Sequence, residues 1–424
     1  MRSRSLPLVV SQLLDFRFDS WSLGCPVEAD HTNRTKASKS LAQVGLAYQA
    51  RAKPKAAVTP AIAQLAKDLT VNSNTPEDKV RALHQWVAQN IRYLGIYVGA
   101  GGFVPHDAQT ILDNRYGDCK DHVTLLEALL TTVGIESSTA LINSSAARLL
   151  PKLPSPEIFD HVITYIPSLD LYLDSTSPFA PMGRLPNGVL DKPVVLAATG
   201  QVSRTPPFDI AREHTEARVK MTLTPDGSIQ GRSEAQMFGA FEVASRSSQF
   251  NYHNKNQAAV VNSLLSRFQE TGTGEIQKTE PTNFEKPWKV VSHFELDPVV
   301  NVPGPSAMTI PVGLAPGRIK SMEGYVGPVE RRFPRSCSSS KHEEWIELSF
   351  PKDMKIVRIP KGVNFANGPV QYSSTYELVG NVIMVNRVYE GSRKSSVCDG
   401  SEDLIFKAFT QVLRRDIRQQ IFFE

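Results

Sequence analysis

Long apolar runs are missing from this 424-residue chain. No stretch approaches the roughly 18 residues that a bilayer span needs, which argues against an integral membrane segment. Cysteine is scarce: Cys25, Cys119, Cys337 and Cys398 are the whole set, with no C-x-x-C pair among them. A metal scaffold therefore has little to build on. Excess charge of one sign is lacking too, since a net charge of +4 spread over this length does not argue for nucleic acid. No basic run with interleaved aromatics and no glycine-rich phosphate loop occurs, and no motif calls for a cofactor. The N-terminus carries two arginines and an apolar patch of about five residues, short of the roughly 7 to 15 of a signal-peptide core, so no clear export signal is read.

What is present is an ordinary globular composition, 41% apolar, on a chain long enough for two or three domains. Its centre is the stretch Arg115 to Gly134. Gly117 breaks the preceding loop, Asp118 can cap a helix, and Asp121 sits three residues on in the acidic position of a capping box. Leu125, Leu126, Leu129, Leu130 and Val133 then recur at helical spacing, and Gly134 suits the stop. Cys119 thus occupies the first turn of a buried helix, at its exposed end and outside the leucine stripe.

A thiolate is favoured at the positive end of a helix dipole, and Lys120 adds to that effect while Asp118 and Asp121 oppose it. The bland alternative is a small buried hydrophobe, the usual fate of a free cysteine.

Residues 1 to about 55 show no regular pattern. Thr59-Pro60 and Thr75-Pro76-Glu77-Asp78 are then two helix starts, each a cap followed by a proline at the first helical position. The second helix runs through Val80, Leu83, Trp86, Val87 and Ile91, with Trp86 read as core. Between Tyr93 and Pro105 four glycines imply close turns. His106-Asp107 can cap a short helix, and His106 is read as a loop or capping residue.

After the cysteine helix, Ser138 to Ile142 reads as a strand. The segments from His161 to Ile166 and from Leu171 to Asp174 form a hairpin across a Pro- and Asp-containing turn. With an even loop centred on Ser168-Leu169, residue i faces residue 337 minus i, so Tyr165 faces Tyr172 and Ile163 faces Asp174. His161 and Asp174 are then diagonal neighbours on one face, with Cα atoms about 7 to 8 Å apart, within reach of an imidazole and a carboxylate.

From Lys192 through Pro206-Pro207 the chain reads as a linker. Beyond it, Ala217 to Thr224 alternates and turns at Pro225-Asp226-Gly227 into Ile229 to Met237. Further strands are expected at Lys289 to Leu296, Trp345 to Phe350, Lys355 to Ile359, Val370 to Val379 and Val382 to Tyr389. Helices are expected at Ala258 to Phe268 and from Ser401 onward. No catalytic cluster appears in 205–424. Cys337 and Cys398 fall in one late region and could form a disulfide, which would imply an oxidising compartment.

A cysteine nucleophile needs a base, and the base needs an orienting group. Cys119, His161 and Asp174 stand in that order. Tyr116-Gly-Asp-Cys119-Lys-Asp, Asp-His161-Val and Tyr-Leu-Asp174-Ser-Thr resemble the core of the transglutaminase-like cysteine enzyme superfamily. Trp86-Val-x-x-Asn-Ile-Arg-Tyr93 and Gly102-Phe-Val-Pro-His106 add to the likeness. The resemblance is to a bacterial branch in which β-rich domains flank that core. It covers about residues 60 to 180, and it implies an α+β protein with a papain-like transglutaminase core followed by a β-rich, sandwich-like C-terminal domain.

The implied layout is an N-terminal segment, 1–57, a catalytic core, 58–200, and a β-rich domain with two helices, 201–424. The implied chemistry is acyl transfer through a thioester on Cys119, with His161 as base and later acid and Asp174 as its orienter. The Cys119 N–H would be one oxyanion donor and Tyr93 a candidate for the second. A protein or peptide would be the substrate, and hydrolysis is favoured over cross-linking. Members of that branch carry a larger β-rich domain before the core and an export signal, which points to an extracytoplasmic location. With only about 55 residues ahead of the core, that domain is expected to be reduced or the reading frame to begin late.

Two further readings compete. One is a non-catalytic binding or scaffold protein keeping the fold. The other is a metal site built from Cys119, His122 and His161, the first two spaced three apart on a helix.

Overall fold

The computed structural model describes residues 40–95, 102–145, 148–150, 153–252, 255–325 and 333–424. Residues 1–39, with Cys25, and the glycine-rich residues 96–101 lie outside these, as do parts of the loop at 143–158.

Among the described residues, five α-helices precede the central hairpin: α1 (Leu41–Ala52), α2 (Pro60–Leu69), α3 (Pro76–Asn90), α4 (Ala108–Asn114) and α5 (Cys119–Thr132). The Thr59 and Thr75 side chains accept from Ile62 and Asp78 N–H, the caps their sequence announced. Helix α1 was not expected in the N-terminal segment. Ser40 caps it locally, but its apolar residues make a poor stripe, and its stability comes from packing. Gly45 lies so close to the sheet that a Cβ there would stand 2.7 Å from Val195 Cγ1.

Strands β1 (Arg92–Tyr93) and β2 (Tyr116–Gly117) form a two-residue parallel bridge that sets Tyr93 opposite Gly117. Strands β3 (Ser138–Ile142), β4 (His161–Ile166), β5 (Leu171–Leu173), β6 (Pro193–Leu196) and β7 (Val202–Arg204) make a five-stranded antiparallel sheet in the order β5-β4-β3-β6-β7. The expected linker from Lys192 is therefore corrected. Its apolar Val194 and Val195 are wholly buried as strand β6, and Pro193 is tolerated because it opens the strand. On one face of this sheet α2 to α5 pack Ile62, Val80, Leu83, Val87, Ile111 and the leucines of α5 against Ile166 and Leu173. Each such fully buried leucine or isoleucine contributes roughly 1.5 to 3 kcal/mol.

The remainder is β-rich. Strands β8 (His214–Leu223) and β9 (Ile229–Met237) are followed by α6 (Ala240–Asn251), α7 (Gln257–Ser266), β10 (Gly272–Lys278), β11 (Lys289–Leu296) and β12 (Ser306–Met308). Then come β13 (Arg335–Ser336), β14 (Ser340–Ser349), β15 (Ile356–Arg358), β16 (Asn364–Asn367), β17 (Val370–Val379), β18 (Val382–Gly391), β19 (Val397–Cys398), α8 (Gly400–Ile417) and β20 (Ile421–Phe423). Eight strands form one sheet in the order β10-β11-β9-β8-β14-β18-β17-β16, antiparallel except where β14 lies parallel to β8.

One face of that sheet is buried. Over part of it the small sheet β12-β20-β15 supplies Met308, Ile421 and Phe423, a sheet-on-sheet packing, and Phe409, Leu413 and Ile417 of α8 cover Val370, Tyr372 and Tyr389. The strict alternation of burial along β14 is the mark of a sheet with one solvated face.

This half holds three helices, α6 having been missed, and the edge strand β10 was missed as well. Helix α6 has no side-chain cap of its own; Glu213, 27 residues upstream, accepts from the Ala240 N–H at 2.7 Å. A cap supplied from another element leaves no local signal.

Candidate active site

The cysteine helix starts where the capping residues place it. Asp118 accepts from Lys120 N–H and Asp121 reaches back to Asp118 N–H, closing the capping box. Glycine at 117 permits this, since a Cβ there would stand 2.5 Å from the Asp121 Cβ. Asp121 also accepts from the His106 N–H at 2.8 Å and its ring Nδ1 at 3.0 Å. His106, read as a loop or capping residue, thus has a partner after all, and through it the segment before α4 is pinned to the first turn of α5.

The first turn is not exposed. Cys119 is 3% accessible and every residue from Cys119 to Leu130 is buried, which corrects the expectation of an exposed helix end. Cys119 and Val123 belong to an apolar cluster with Val44, Leu141, Phe159, Val162 and Val195, against which Tyr93 packs. The charged residues of α5 can be buried because they are paired, Lys120 with Asp118, Asp121 with His106 and Glu127 with Lys53, and Nδ1 of His122 meets the Ser175 carbonyl. Burial raises the Asp118 pKa, and the Lys120 charge only partly offsets it.

The hairpin has the register read from the sequence: Thr164 faces Leu173, Tyr165 faces Tyr172 and Ile166 faces Leu171. One residue beyond β5, Asp174 Oδ2 meets His161 Nε2 at 3.0 Å, both side chains being buried. The other carboxylate oxygen accepts from the Thr176 N–H at 3.1 Å and its hydroxyl at 2.6 Å. A carboxylate only accepts, so Nε2 carries the proton, and in the neutral imidazole Nδ1 holds the lone pair. That Nδ1 is buried with no hydrogen-bond partner among the described residues.

Burial alone would lower the His161 pKa, but the Asp174 carboxylate, helped by Asp160 and Asp118, holds it above the ordinary imidazole value. Burial alone would raise that of Asp174, but the His161 charge and the donors from His161 and Thr176 hold it below the ordinary carboxylate value. Both partners shift toward the ion pair.

The Cys119 sulfur is disulfide-bonded in this structure. Of the expected trio, a hydrogen bond joins His161 to Asp174. Tyr93 sits beside the first turn of α5, opposite Gly117, its ring centroid 6.0 Å from that of His122. The metal reading finds no support in these contacts: Nδ1 of His122 is turned to the Ser175 carbonyl and Nε2 of His161 to Asp174. Cys337 and Cys398 form a disulfide, closing a loop that spans 61 positions.

Sequence reasoning missed two buried histidines behind Asp174. His122, weighed only as a metal ligand, hydrogen-bonds the residue after Asp174. His84, on α3, lies against the Asp174 carbonyl, and neither ring nitrogen completes a hydrogen bond among the described residues. Burial pushes both down to about 4, so both are neutral at ordinary pH. Their signal was present: His84 lies next to Leu83 on the helix stripe, and His122 one helical turn after Cys119.

Comparison with known proteins agrees with this architecture. The chain resembles the 2.00 Å crystal structure of a "putative protease" from Parabacteroides distasonis ATCC 8503, with a TM-score of 0.56 and 14% identity over 91% of this chain and 59% of that one. At that identity the likeness is one of fold, and the chain spans about three fifths of that protein's length. No curated protein matches. A family model described as the Transglutaminase-like superfamily matches residues 63–144, a window that holds Cys119 and ends before His161 and Asp174. The segment from α2 to β3 thus matches a transglutaminase-like core, the part of the chain over which that likeness holds.

Proposed function

We propose that the chain is a cysteine-dependent acyl-transfer enzyme acting on peptide or amide bonds, of hydrolytic rather than cross-linking type. The observation that carries this reading is the His161–Asp174 bond. It uses Nε2 and leaves the Nδ1 lone pair as a base, close to a helix whose first residue is a cysteine. The superfamily match and the protease-like fold of the Parabacteroides distasonis structure support the same reading.

Reduction of the disulfide on Cys119 comes first, with a dithiol supplying two electrons. The released thiol then passes its proton to His161 Nδ1 as sulfur attacks the substrate carbonyl. Asp174 holds the imidazole in its tautomer and stabilises the imidazolium. The Cys119 N–H, at the first helical position, serves the oxyanion, with Tyr93 as second donor. His161 returns its proton to the leaving amine, leaving a thioester on Cys119. Water, deprotonated by His161, cleaves the thioester and restores the thiol.

In this reading the catalytic unit extends through β7, and the β-rich half supports it or recognises a protein or peptide partner. The Cys337–Cys398 disulfide suits the extracytoplasmic location that the resemblance implies. Among the described residues no helix is long and apolar enough to cross a membrane.

The test is alkylation of Cys119 by iodoacetamide in prereduced protein, read site by site by mass spectrometry, alongside cleavage of a peptide library with and without an amine donor. Fast labelling with an apparent pKa well below the free-thiol value of about 8.5, lost in His161→Ala, is expected. Amine incorporation without cleavage would replace hydrolysis by transamidation. Slow labelling in both proteins would favour the binding-module reading.

A further inference from the structure

The turn that carries Asp174 is held from behind as well as from His161. Inside the turn, Thr176 donates twice to one carboxylate oxygen. From α5, His122 Nδ1 lies 2.8 Å from the Ser175 carbonyl oxygen. A carbonyl only accepts, so Nδ1 carries the proton. His122 is 1% accessible and Ser175 is 1% accessible, so this bond forms away from solvent, where its loss would leave a buried carbonyl unpaired. From α3, His84, also 1% accessible, packs against the carbonyl of Asp174 itself.

The two ends of this contact belong to different parts of the site. His122 stands three residues after Cys119 on the same helix, and Ser175 directly follows the carboxylate that orients His161. A bond between them ties the strand that bears Asp174 to the helix that bears the cysteine. From this we infer that His122 is a positioning residue: its Nδ1–H fixes the Asp174 turn against α5 and so sets the His161–Asp174 pair in register with Cys119, with His84 packing the same turn from α3. The inference rests on the acyl-transfer reading for its catalytic consequence, but the positioning itself concerns the fold of the dyad. Around His122 the charged and titratable groups are Asp174, Asp121 and His161, and around His161 they are Asp174, Asp160 and Asp118. None of these is altered by a change at 122.

The deciding experiment compares the full-length protein with His122→Leu, which removes the donor, and His122→Asn, whose side-chain N–H stands where Nδ1–H stood. Histidine side-chain NMR gives the His161 pKa and tautomer, thermal unfolding checks that each variant is folded, and iodoacetamide labelling of prereduced Cys119 gives the pH–rate profile. In His122→Leu the His161 value is expected to fall back toward or below the ordinary imidazole value of about 6.5, and labelling near neutral pH to slow about 10- to 100-fold. In His122→Asn both are expected to return. A His161 titration unchanged in His122→Leu would overturn the inference, and so would His122→Asn folding normally yet failing to restore it. A purely structural role would lower the unfolding temperature without moving the titration. If wild-type Cys119 proves unreactive at every pH while the His161 titration still follows residue 122, the acyl-transfer reading fails and the positioning stands.

Discussion

Asp174 accepts from an imidazole on one oxygen and from Thr176 on the other, and the sign of each partner's pKa shift decides how that arrangement responds to pH. His161 is raised above its ordinary 6.5, so its stabilising contribution is full below 6.5 and is lost as pH rises through the raised value. Asp174 is lowered below its ordinary 3.8, so its contribution is full above 3.8 and is lost as pH falls through the lowered value. The difference in unfolding temperature between the wild type and Asp174→Asn should accordingly be largest between about pH 4 and 6.5 and shrink on either side. A difference independent of pH would sink this account. The neutral His84 works the other way. Its folded value of about 4 lies below that of the unfolded chain, so it costs stability as pH falls from 6.5 toward 4, by roughly 3 kcal/mol at the lower end. Unfolding temperatures recorded along that pH range should fall less steeply in His84→Gln than in the wild type.

At the scale of elements, the start of α5 is where helix capping and site assembly coincide. Gly117→Ala places a methyl 2.5 Å from the Asp121 Cβ, so the capping box and the tie from Asp121 to His106 must give together. The expected cost is about 1 to 3 kcal/mol, read as a lower unfolding midpoint in urea with slower Cys119 labelling. Helix α8 depends on one carboxylate in a comparable way. Asp416, buried, accepts from Tyr372, Ser374 and Tyr376 and faces Arg387 Nε at 3.6 Å, joining α8 to β17 and β18. Asp416→Ala would leave Arg387 buried without its counter-charge, at a cost of about 3 to 5 kcal/mol by chemical denaturation. The charge of Glu344 also acts on Arg387, and a cost below about 1 kcal/mol would mean that Glu344 alone carries it.

At the scale of the whole molecule, the helical and loop segments of the first half meet the β-rich half through polar contacts such as Arg148 Nε to Ser336 Oγ at 2.8 Å and Gln89 Nε2 to the Thr282 carbonyl at 2.9 Å. Redox chemistry links them in another way. Freeing Cys119 takes a reductant, while the β-rich half relies on the Cys337–Cys398 bond. Closing a loop of 61 positions stabilises by up to about 4 kcal/mol through the unfolded chain, though strain and residual structure commonly reduce this. The double variant Cys337→Ser/Cys398→Ser should lose stability by up to that amount and still show Cys119 labelling after reduction. Loss of labelling in a protein that remains folded would show that the disulfide acts on the site from the β-rich half.

Local signals in this sequence were sufficient wherever the stabilising partner lies within a few residues. The caps at Thr59, Thr75 and Asp118 announced their helices, and the hairpin register followed from its loop, which is how the sequence pairs His161 with Asp174. The superfamily core was legible for the same reason, its motif being short and contiguous around Cys119. What only the tertiary structure decided depends on distant partners. Helix α1 rests on strand β6, α6 borrows its cap from Glu213, and a proline-bearing stretch became β6 and β7 because the sheet had apolar surface to cover. The first turn of α5 is buried because other elements close over it, and His122 gained a role because a carbonyl 53 residues away needed a donor. Backbone propensity and capping act along the chain, whereas the burial of polar groups is settled by whichever partner the fold brings within hydrogen-bond reach.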